Sequence, residues 1–363
     1  MGAEPEVLFE QRGRLGVVTL NRPKAVNALN HGMVLAMLEQ LTAWAADDSV
    51  AAVLVQGAGE RGLCAGGDIV AIYQDMLDGG HATADFWRDE YRLNELISRY
   101  PKPYVAFMDG LVLGGGVGVS AHGSHRIVTE RTRTGMPETT IGFVPDVGGT
   151  LLLSRSPGEA GTHAALTGAH LTGADALYLG LADSFVPSGE LAALAAALEK
   201  AALESSTPDD AVARFAQVPP SASALAGQRE WIDPAYSSDN AEEIVRRLRA
   251  AGGEAAAAAD TIEEKSPTSV KVTLESLRRV RGRSLEEALA QEFRVGVHCL
   301  AGADFREGIR AQVVDKDRNP RWNPATLAEV ERAAVERYFE PLDASNRSTV
   351  QELTLDPKES DHV

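Results

Sequence analysis

Three short segments carry residue types that do chemistry. The first, Leu63-Cys-Ala-Gly-Gly-Asp68, places two glycines just ahead of an apolar run. Small residues let the backbone approach a ligand closely, and N–H groups at a strand-to-helix turn point outward as donors. A plain tight turn is the alternative for this loop taken alone. The second, Leu113-Gly-Gly-Gly-Val-Gly118, follows an apolar strand-like run and again offers backbone N–H groups. A dinucleotide-binding turn competes for it. Yet Gly114 to Gly118 does not match G-x-G-x-x-G in register, and no strand–turn–helix unit opens the chain, so that reading ranks low. The third, Met136-Pro-Glu-Thr139 followed by Ile141-Gly-Phe-Val-Pro-Asp-Val-Gly-Gly-Thr150, sets Glu138 and Asp146 among apolar residues and glycines. A carboxylate so placed either locks a loop through backbone donors or is poised for acid–base work with a raised pKa. Two of them downstream of two N–H loops shift the balance toward chemistry. One N–H from each loop would hold a carbonyl oxygen. A carboxylate beside it would act as base, acid or nucleophile.

These segments need a scaffold. Leu15 to Leu20 and Ala52 to Gln56 are apolar runs that predict buried strands. Between them Met33, Met37, Leu38, Leu41 and Trp44 recur at helical spacing, with Asn30 as the N-cap. A second cycle runs through the loop at Cys64 to Asp68, a helix over Phe86 to Ile97 and a strand over Tyr104 to Met108. His125 to Val128 forms a third strand-like run after a glycine turn and short helix. Repeated strand–helix–strand units predict an α/β fold, without a sequence repeat of fixed period. Near Ser205 the texture changes. Ser205 to Asp210 and Val218 to Gly227 read as surface connection, and Asp239 to Arg310 as mostly helical. Ala251 to Asp260 reads as helix with a flexible start. The expected organisation is a catalytic core over 1–204, a helical region over 205–342 packed on it, and a polar, frayed tail over 343–363.

Composition narrows the partners. The 363 residues carry a formal net charge of −17, which repels nucleic acid and anionic membrane surface. An anionic ligand would need a local cation or a cluster of N–H donors. No apolar run reaches the length of a membrane span. The two cysteines, Cys64 and Cys299, and a start without signal-peptide character predict a reducing, cytoplasmic location. Glu6 stands where a myristoylation signal has Ser or Thr. No metal-ligand spacing is present, so no metal is expected.

At these residues the chain resembles the crotonase (enoyl-CoA hydratase/isomerase) superfamily. The matching segments are Asn21-Arg-Pro-Lys-Ala-Val-Asn-Ala-Leu29, Cys64 to Asp68, Gly114 to Gly118, Pro137-Glu138 and Pro145-Asp-Val-Gly-Gly149. The resemblance implies repeated ββα units forming a spiral core, with a helical C-terminal region. It also implies an acyl-CoA substrate, with coenzyme A entering as part of that substrate and no separate cofactor. By residue match, the carbonyl-binding N–H groups would be those of Gly67 and Gly115. Lys24, Ala25, Ala28, Ala65, Gly66 and Asp68 would surround the coenzyme A. Lys24, Arg22 or another local cation would face its phosphates, a solvated surface lysine being the alternative. Such relatives often form trimers or hexamers, while a helical C-terminal region can take over a neighbour's packing role, so the resemblance offers a homo-oligomer and a self-contained chain as alternatives.

One position departs from the hydratases. They carry a Glu two residues after the triple glycine, where this chain has Gly118, while their other Glu matches Glu138. Adding water across a double bond benefits from two carboxylates on one water. Phe86 to Asn94, His122-Gly123, Met136 to Thr139 with Pro145-Asp146, Ser266 to Ser269, Asp304 to Arg310 and Asp315 to Pro324 resemble a hydrolase branch of the superfamily. That branch implies hydrolysis of a short 3-hydroxyacyl-CoA, with 3-hydroxyisobutyryl-CoA of valine breakdown as the expected substrate. Enoyl-CoA hydration or isomerisation, and CoA binding without catalysis, are the alternatives. In the hydrolase branch Glu90, Gly115, Glu138 and Asp146 would contact the acyl part. Glu138 would attack the carbonyl to give a mixed anhydride, or activate water. Asp146 would bind the 3-hydroxyl or position water, and Glu90 would order the pocket.

Several of these residues have plainer readings. Glu90, with Arg88 and Arg92 nearby, fits a solvated helix face, and Asp146 fits the cap of a helix after Val147. His122, His125 and His298 fit structural roles, and Cys64 fits core packing. Asp304, Glu307 and Arg310 are expected to form ion pairs fixing the C-terminal helices on the core, with Trp322 packed there.

Overall fold

A computed structural model describes residues 4–342 and 350–355. The chain opens with an antiparallel hairpin of β1 (Val7–Arg12) and β2 (Leu15–Leu20). Helix α1 (His31–Ala46) follows, and Asn30 caps it as expected, its side-chain oxygen accepting from Met33 N–H at 2.9 Å. Such a cap contributes about 1 kcal/mol. From there the chain repeats one pattern: a long strand, a short strand and a helical segment. The first turn is β3 (Ala52–Gly57), β4 (Gly62–Cys64), α2 (Ile69–Asp78) and α3 (Ala82–Ser98). The second is β5 (Tyr104–Met108), β6 (Leu111–Leu113) and α4 (Gly115–Gly118). The third is β7 (His125–Val128), β8 (Arg133–Gly135), α5 (Gly149–Ser154) and α6 (Ala160–Thr167). β9 (Leu171–Thr172), α7 (Gly173–Leu179), β10 (Ser184–Phe185) and α8 (Leu191–Leu203) close the core.

The long strands make a six-stranded sheet in the order β1-β2-β3-β5-β7-β10, parallel from β2 onward. The short strands make a second sheet, β4-β6-β8-β9. Each turn of the chain therefore adds one strand to each sheet, which is the ββα spiral the resemblance implies. Alternate residues of β2, β3 and β5 bury against opposite layers. Leu15, Val17, Leu54 and Val105 meet Leu194 and Leu198 of α8. Val18, Val53, Val55 and Ala106 join the main core with α1 and α3. Burial on both faces is why these strands read as continuous apolar runs. The short strands are not visible locally, because three residues give no alternation to count.

The C-terminal region is helical, and it begins earlier than its turn-rich composition suggests. Helix α9 (Pro208–Phe215) starts inside the stretch expected to be surface connection, with Pro at its first position and Asp209 and Asp210 in its first turn. α10 (Ala224–Gly227) is a second short helix in such a stretch. α11 (Arg229–Tyr236), α12 (Ala241–Ala251), α13 (Gly253–Glu263), α14 (Pro267–Arg279), α15 (Leu285–Ala301) and α16 (Ala303–Ile309) follow, then a π-helical turn (Arg310–Val314) and α17 (Arg332–Glu336). α15 packs on α3, α14 on α5 and α6, and α16 on the turn Glu138–Ile141.

Ion pairs knit the end of this region to itself rather than to the core. Arg310 binds Glu307 at 2.8 Å, Asp315 at 2.6 Å and Asp317 at 2.7 Å. Asp304 accepts from the Ser266 hydroxyl at 2.6 Å and from Asn323 N–H at 2.9 Å. Trp322 is half-buried and donates to the Glu264 carbonyl within the same region. Part of the expected frayed tail is docked. Arg88 donates to the carbonyls of Gln351 and Glu352, Arg294 pairs with Glu352 at 2.9 Å, and Leu353 is buried. The rest of that expectation, 343–349 and 356–363, lies outside the described residues.

The C-terminal region meets the core backbone to backbone at Gly308. A Cβ there would stand 2.2 Å from the Ile141 carbonyl oxygen. Gly308→Ala is therefore expected to destabilise the fold by about 1–3 kcal/mol, the usual cost of overpacking, read as a lower urea midpoint at unchanged m-value.

Candidate active site

The loops after β4 and β6, helix α3, the turn Glu138–Ile141 and the C-terminal π turn enclose a cavity of about 400 Å³. It brings together Gly67, Gly115, Glu90, Glu138 and Asp146, with Ala65 and Gly66 at one side. Lys24, Ala25, Ala28 and Asp68 do not line it. They lie on a neighbouring strip of chain that is laced to the first glycine loop. Ala65 N–H donates to Val26 O at 2.9 Å, Leu29 N–H to Gly66 O at 2.8 Å and Asp68 N–H to Leu29 O at 2.7 Å. Asp68 caps α2 and pairs with Arg22 at 2.9 Å, and Arg22 also binds Glu6 at 3.0 Å. Lys24 is exposed and makes no ion pair among the described residues.

The two glycine loops converge. Gly66 at φ 104° and Gly114 at φ 48° take conformations that L side chains resist. The N–H groups of Gly67 and Gly115 meet no acceptor among the described residues. A Cβ on Gly115 would stand 3.5 Å from Gly67 N, so the two donors sit side by side. Cys64 lies beneath them, its sulfur accepting from Gly66 N–H at 3.4 Å. Burial pushes its thiol up to about 12, consistent with a packing role.

Three carboxyl groups face this pair of donors. Glu138 opens its 3-10 turn and is buried, with one oxygen lacking any hydrogen-bond partner. Burial first, then the nearby Asp146 charge, raises its pKa well above the usual range. Asp146 accepts from the Tyr91 hydroxyl at 2.9 Å, and burial pushes it up to about 7. Glu90 is 2% exposed, so it is not on a solvated helix face. Arg88 turns away onto the Phe293 ring, and Arg92 pairs with Asp89 at 3.1 Å. Among the described residues, no Lys or Arg lines the cavity.

A turn at Val147 holds Asp146 in place, and its supports were not evident in the sequence. Val147 has φ 52°, a costly conformation for a β-branched residue. His122 Nε2 bonds its carbonyl at 2.7 Å, and burial lowers this histidine to about 4, so the ring is the neutral donor. Glu292 of α15 reaches across from the C-terminal region. Its carboxyl accepts from Gly148 N–H at 2.7 Å, Thr150 N–H at 2.9 Å and the Thr150 hydroxyl. Glu292, not Asp146, thus caps α5. Its one sequence signal is a lone acid on the apolar stripe of Ala288, Leu289 and Val295. Burial pushes Glu292 up to about 8.

One side of the cavity is aromatic. Trp87 stacks on Phe143 at 5.0 Å, and Phe143 on Phe305 of α16 at 4.6 Å. Gln312 and Val313 of the π turn complete this wall, so the C-terminal region furnishes part of the pocket. Gly118 lies nearby and is fully packed. A Cβ there would stand 2.8 Å from Asn94 Nδ2 and 2.8 Å from Val147 Cβ.

A ββα spiral whose first two helical turns begin with paired, unengaged N–H donors beside buried carboxyls defines a crotonase-type enzyme. Residues 15–339 match the family model described as enoyl-CoA hydratase/isomerase, and the chain belongs to that family. It is 41% identical to the 3-hydroxyisobutyryl-CoA hydrolase, mitochondrial, of Danio rerio, over 94% of this chain and 91% of the relative. A solved carnitinyl-CoA dehydratase from Mycobacterium thermoresistibile is 53% identical, covering 96% of this chain and 98% of its own, with a TM-score of 0.89. A solved enoyl-CoA hydratase from Rhodobacter sphaeroides is 40% identical, covering 93% and 98%, with a TM-score of 0.85.

The raised pKa values make a stability prediction. Asp146 ionises near 4 when unfolded but at about 7 when folded. Its contribution to stability is therefore full below about pH 4 and lost as pH rises through about 7. Asp146→Asn removes that loss while keeping an acceptor for Tyr91. Its Tm relative to the parent protein is expected to climb by roughly 5 °C between pH 5 and pH 8 in calorimetry. A pH-independent difference would show that Asp146 is ionised throughout.

Proposed function

We propose that this enzyme hydrolyses short 3-hydroxyacyl-CoA thioesters, with 3-hydroxyisobutyryl-CoA as its substrate in valine breakdown. The observation that carries the reading is the packing at Gly118. A hydratase Glu at that position has no room between Asn94 and Val147. The 41% identical relative named as a hydrolase supports it.

In this reading the thioester oxygen sits on the N–H groups of Gly67 and Gly115, which stabilise the charge that develops there. Glu138 supplies the electron pair, either by attacking the carbonyl carbon or by taking a proton from an attacking water. Asp146, held by Tyr91, meets the 3-hydroxyl of the acyl group. The stacked aromatic rings and the π turn exclude bulk water. The coenzyme A moiety lies along the strip from Lys24 to Ala28, outside the cavity, where the exposed Lys24 meets its phosphates.

The names of the two solved relatives favour a second reading, hydration or dehydration of an acyl-CoA. Glu90 and Asp146 in the same cavity keep it in view, since either would give Glu138 a second carboxyl partner. The two readings separate when purified protein is offered 3-hydroxyisobutyryl-CoA, carnitinyl-CoA and crotonyl-CoA. The expected outcome is thiol release from the first, with no change in enoyl absorbance from the other two. Enoyl absorbance change without thiol release would sink the hydrolase reading. Glu138→Gln is expected to lower kcat at least 10³-fold with the coenzyme A inhibition constant little changed. Gly118→Glu is expected to unfold at a lower temperature and to gain no crotonyl-CoA hydration, since the added side chain displaces Val147 and Asn94 before it reaches a water.

A further inference from the structure

Glu90 presents an electrostatic conflict. Its Oε1 lies 2.6 Å from where a Cβ on Gly115 would stand, so the carboxyl rests directly against the residue whose N–H faces the cavity. That approach is open because residue 115 is glycine. The same oxygen is buried and has no hydrogen-bond partner. Gly67 N stands 3.5 Å from that same Cβ position. An ionised carboxylate here would stand beside the site where, on the thioester reading, negative charge builds on the carbonyl oxygen. At such separations in a protein interior, like-charge repulsion slows a reaction by about two orders of magnitude.

No Lys or Arg among the described residues relieves it. Asp146 faces Glu90 from the Val147 turn, Cys64 from β4 and Tyr91 from its own helix, all anionic or neutral. Glu138 and His170 share the cavity. Glu292 stands behind Asp146 and Tyr91. His31 on α1 is engaged with Asp89 at 2.8 Å, and Arg22 with Glu6 and Asp68. Burial and Asp146 both act to hold the proton on Glu90.

We propose that Glu90 works as a neutral carboxylic acid whose O–H donates a hydrogen bond to the thioester oxygen, a third donor beside the N–H groups of Gly67 and Gly115. The proton stays on Glu90 throughout, so the step involves no net transfer. The role differs from that of Glu138, which must give up an electron pair. It rests on the thioester-hydrolase reading, and thiol release by the unaltered enzyme tests that reading first.

The closing experiment follows kcat/KM for the parent enzyme, Glu90→Gln and Glu90→Ala from pH 6 to pH 10 on the same 3-hydroxyacyl-CoA. Glutamine keeps a donor but cannot ionise. The expected result is a loss of about tenfold at pH 7 for Glu90→Gln and about 10³-fold for Glu90→Ala. The parent rate should fall at alkaline pH as Glu90 becomes an anion beside the oxyanion, and this fall should vanish in Glu90→Gln. Infrared difference spectra should show a protonated-carboxyl C=O band in the folded parent enzyme that Glu90→Gln lacks. If Glu90→Gln is as slow as Glu90→Ala, if the alkaline limb persists in Glu90→Gln, or if the band is absent, Glu90 is not a neutral donor. Thiol release by the parent enzyme with any of these results overturns this role alone. No thiol release overturns the hydrolase reading beneath it.

Discussion

The site depends on one buried carboxyl group, that of Glu292, seated on the N-terminus of α5. Three donors converge on it: Gly148 N–H, Thr150 N–H and the Thr150 hydroxyl. A helix N-terminus leaves its first N–H groups unpaired, and a buried one left so would be costly. The Glu292 carboxyl satisfies them from 142 to 144 residues downstream. In doing so it fixes the turn immediately before α5, where Val147 sits in the left-handed region. A valine persists there only when its surroundings leave it no alternative. Glu292 on one side, His122 on the carbonyl and Tyr91 on Asp146 provide that constraint. The C-terminal region is thus bound into the catalytic geometry. It also lines the pocket, through Phe305, Gln312 and Val313.

Four acids, Glu90, Glu138, Asp146 and Glu292, are buried around this turn. Each prefers to hold its proton, because burial penalises the charged form and the Asp146 charge raises the other three. Where such carboxyls crowd together, a proton count belongs to the cluster more than to any member. Asp146 has a hydroxyl donor and Glu292 three donors, and these hydrogen bonds lower their pKa values. Glu90 and Glu138 each keep a buried oxygen without a partner. In a settled interior such groups are rare. Two of them facing one cavity mark where a ligand completes the hydrogen bonding.

What was legible in the sequence follows from which forces are local. The glycine loops, Glu138 and Asp146 stand out because glycine and acid are unusual in apolar surroundings, and the long strands because both their faces are buried. The Asn30 cap is likewise a short-range signal. The short strands β4, β6 and β8 were not legible, since each exists only by pairing with its equivalent in the next turn of the spiral. Glu90 was ambiguous because its helix carries arginines on one face and the site on the other. Tyr91, His122 and Glu292 act through contacts with residues 25 to 144 positions away, and nothing in their neighbourhoods announces those partners. The turn-rich stretch at Ser205 to Asp210 misled because a proline and two aspartates start a helix as readily as they make a loop.

The chemistry at Gly118 is inseparable from the strain at Val147. A left-handed valine swings its side chain toward α4, where Cβ and Cγ2 fill the space that a side chain on residue 118 would need. Asn94, one turn beyond Glu90 on α3, fills the other side. The glycine at 118 therefore leaves no hole for water. It is one half of a packing solution whose other half is the conformation of the Asp146 turn. That turn in turn requires Glu292. The packing that leaves residue 118 no room for a side chain and the contact that anchors the C-terminal helices are two ends of the same constraint, and on the hydrolase reading that constraint ties the reaction to the helical C-terminal region.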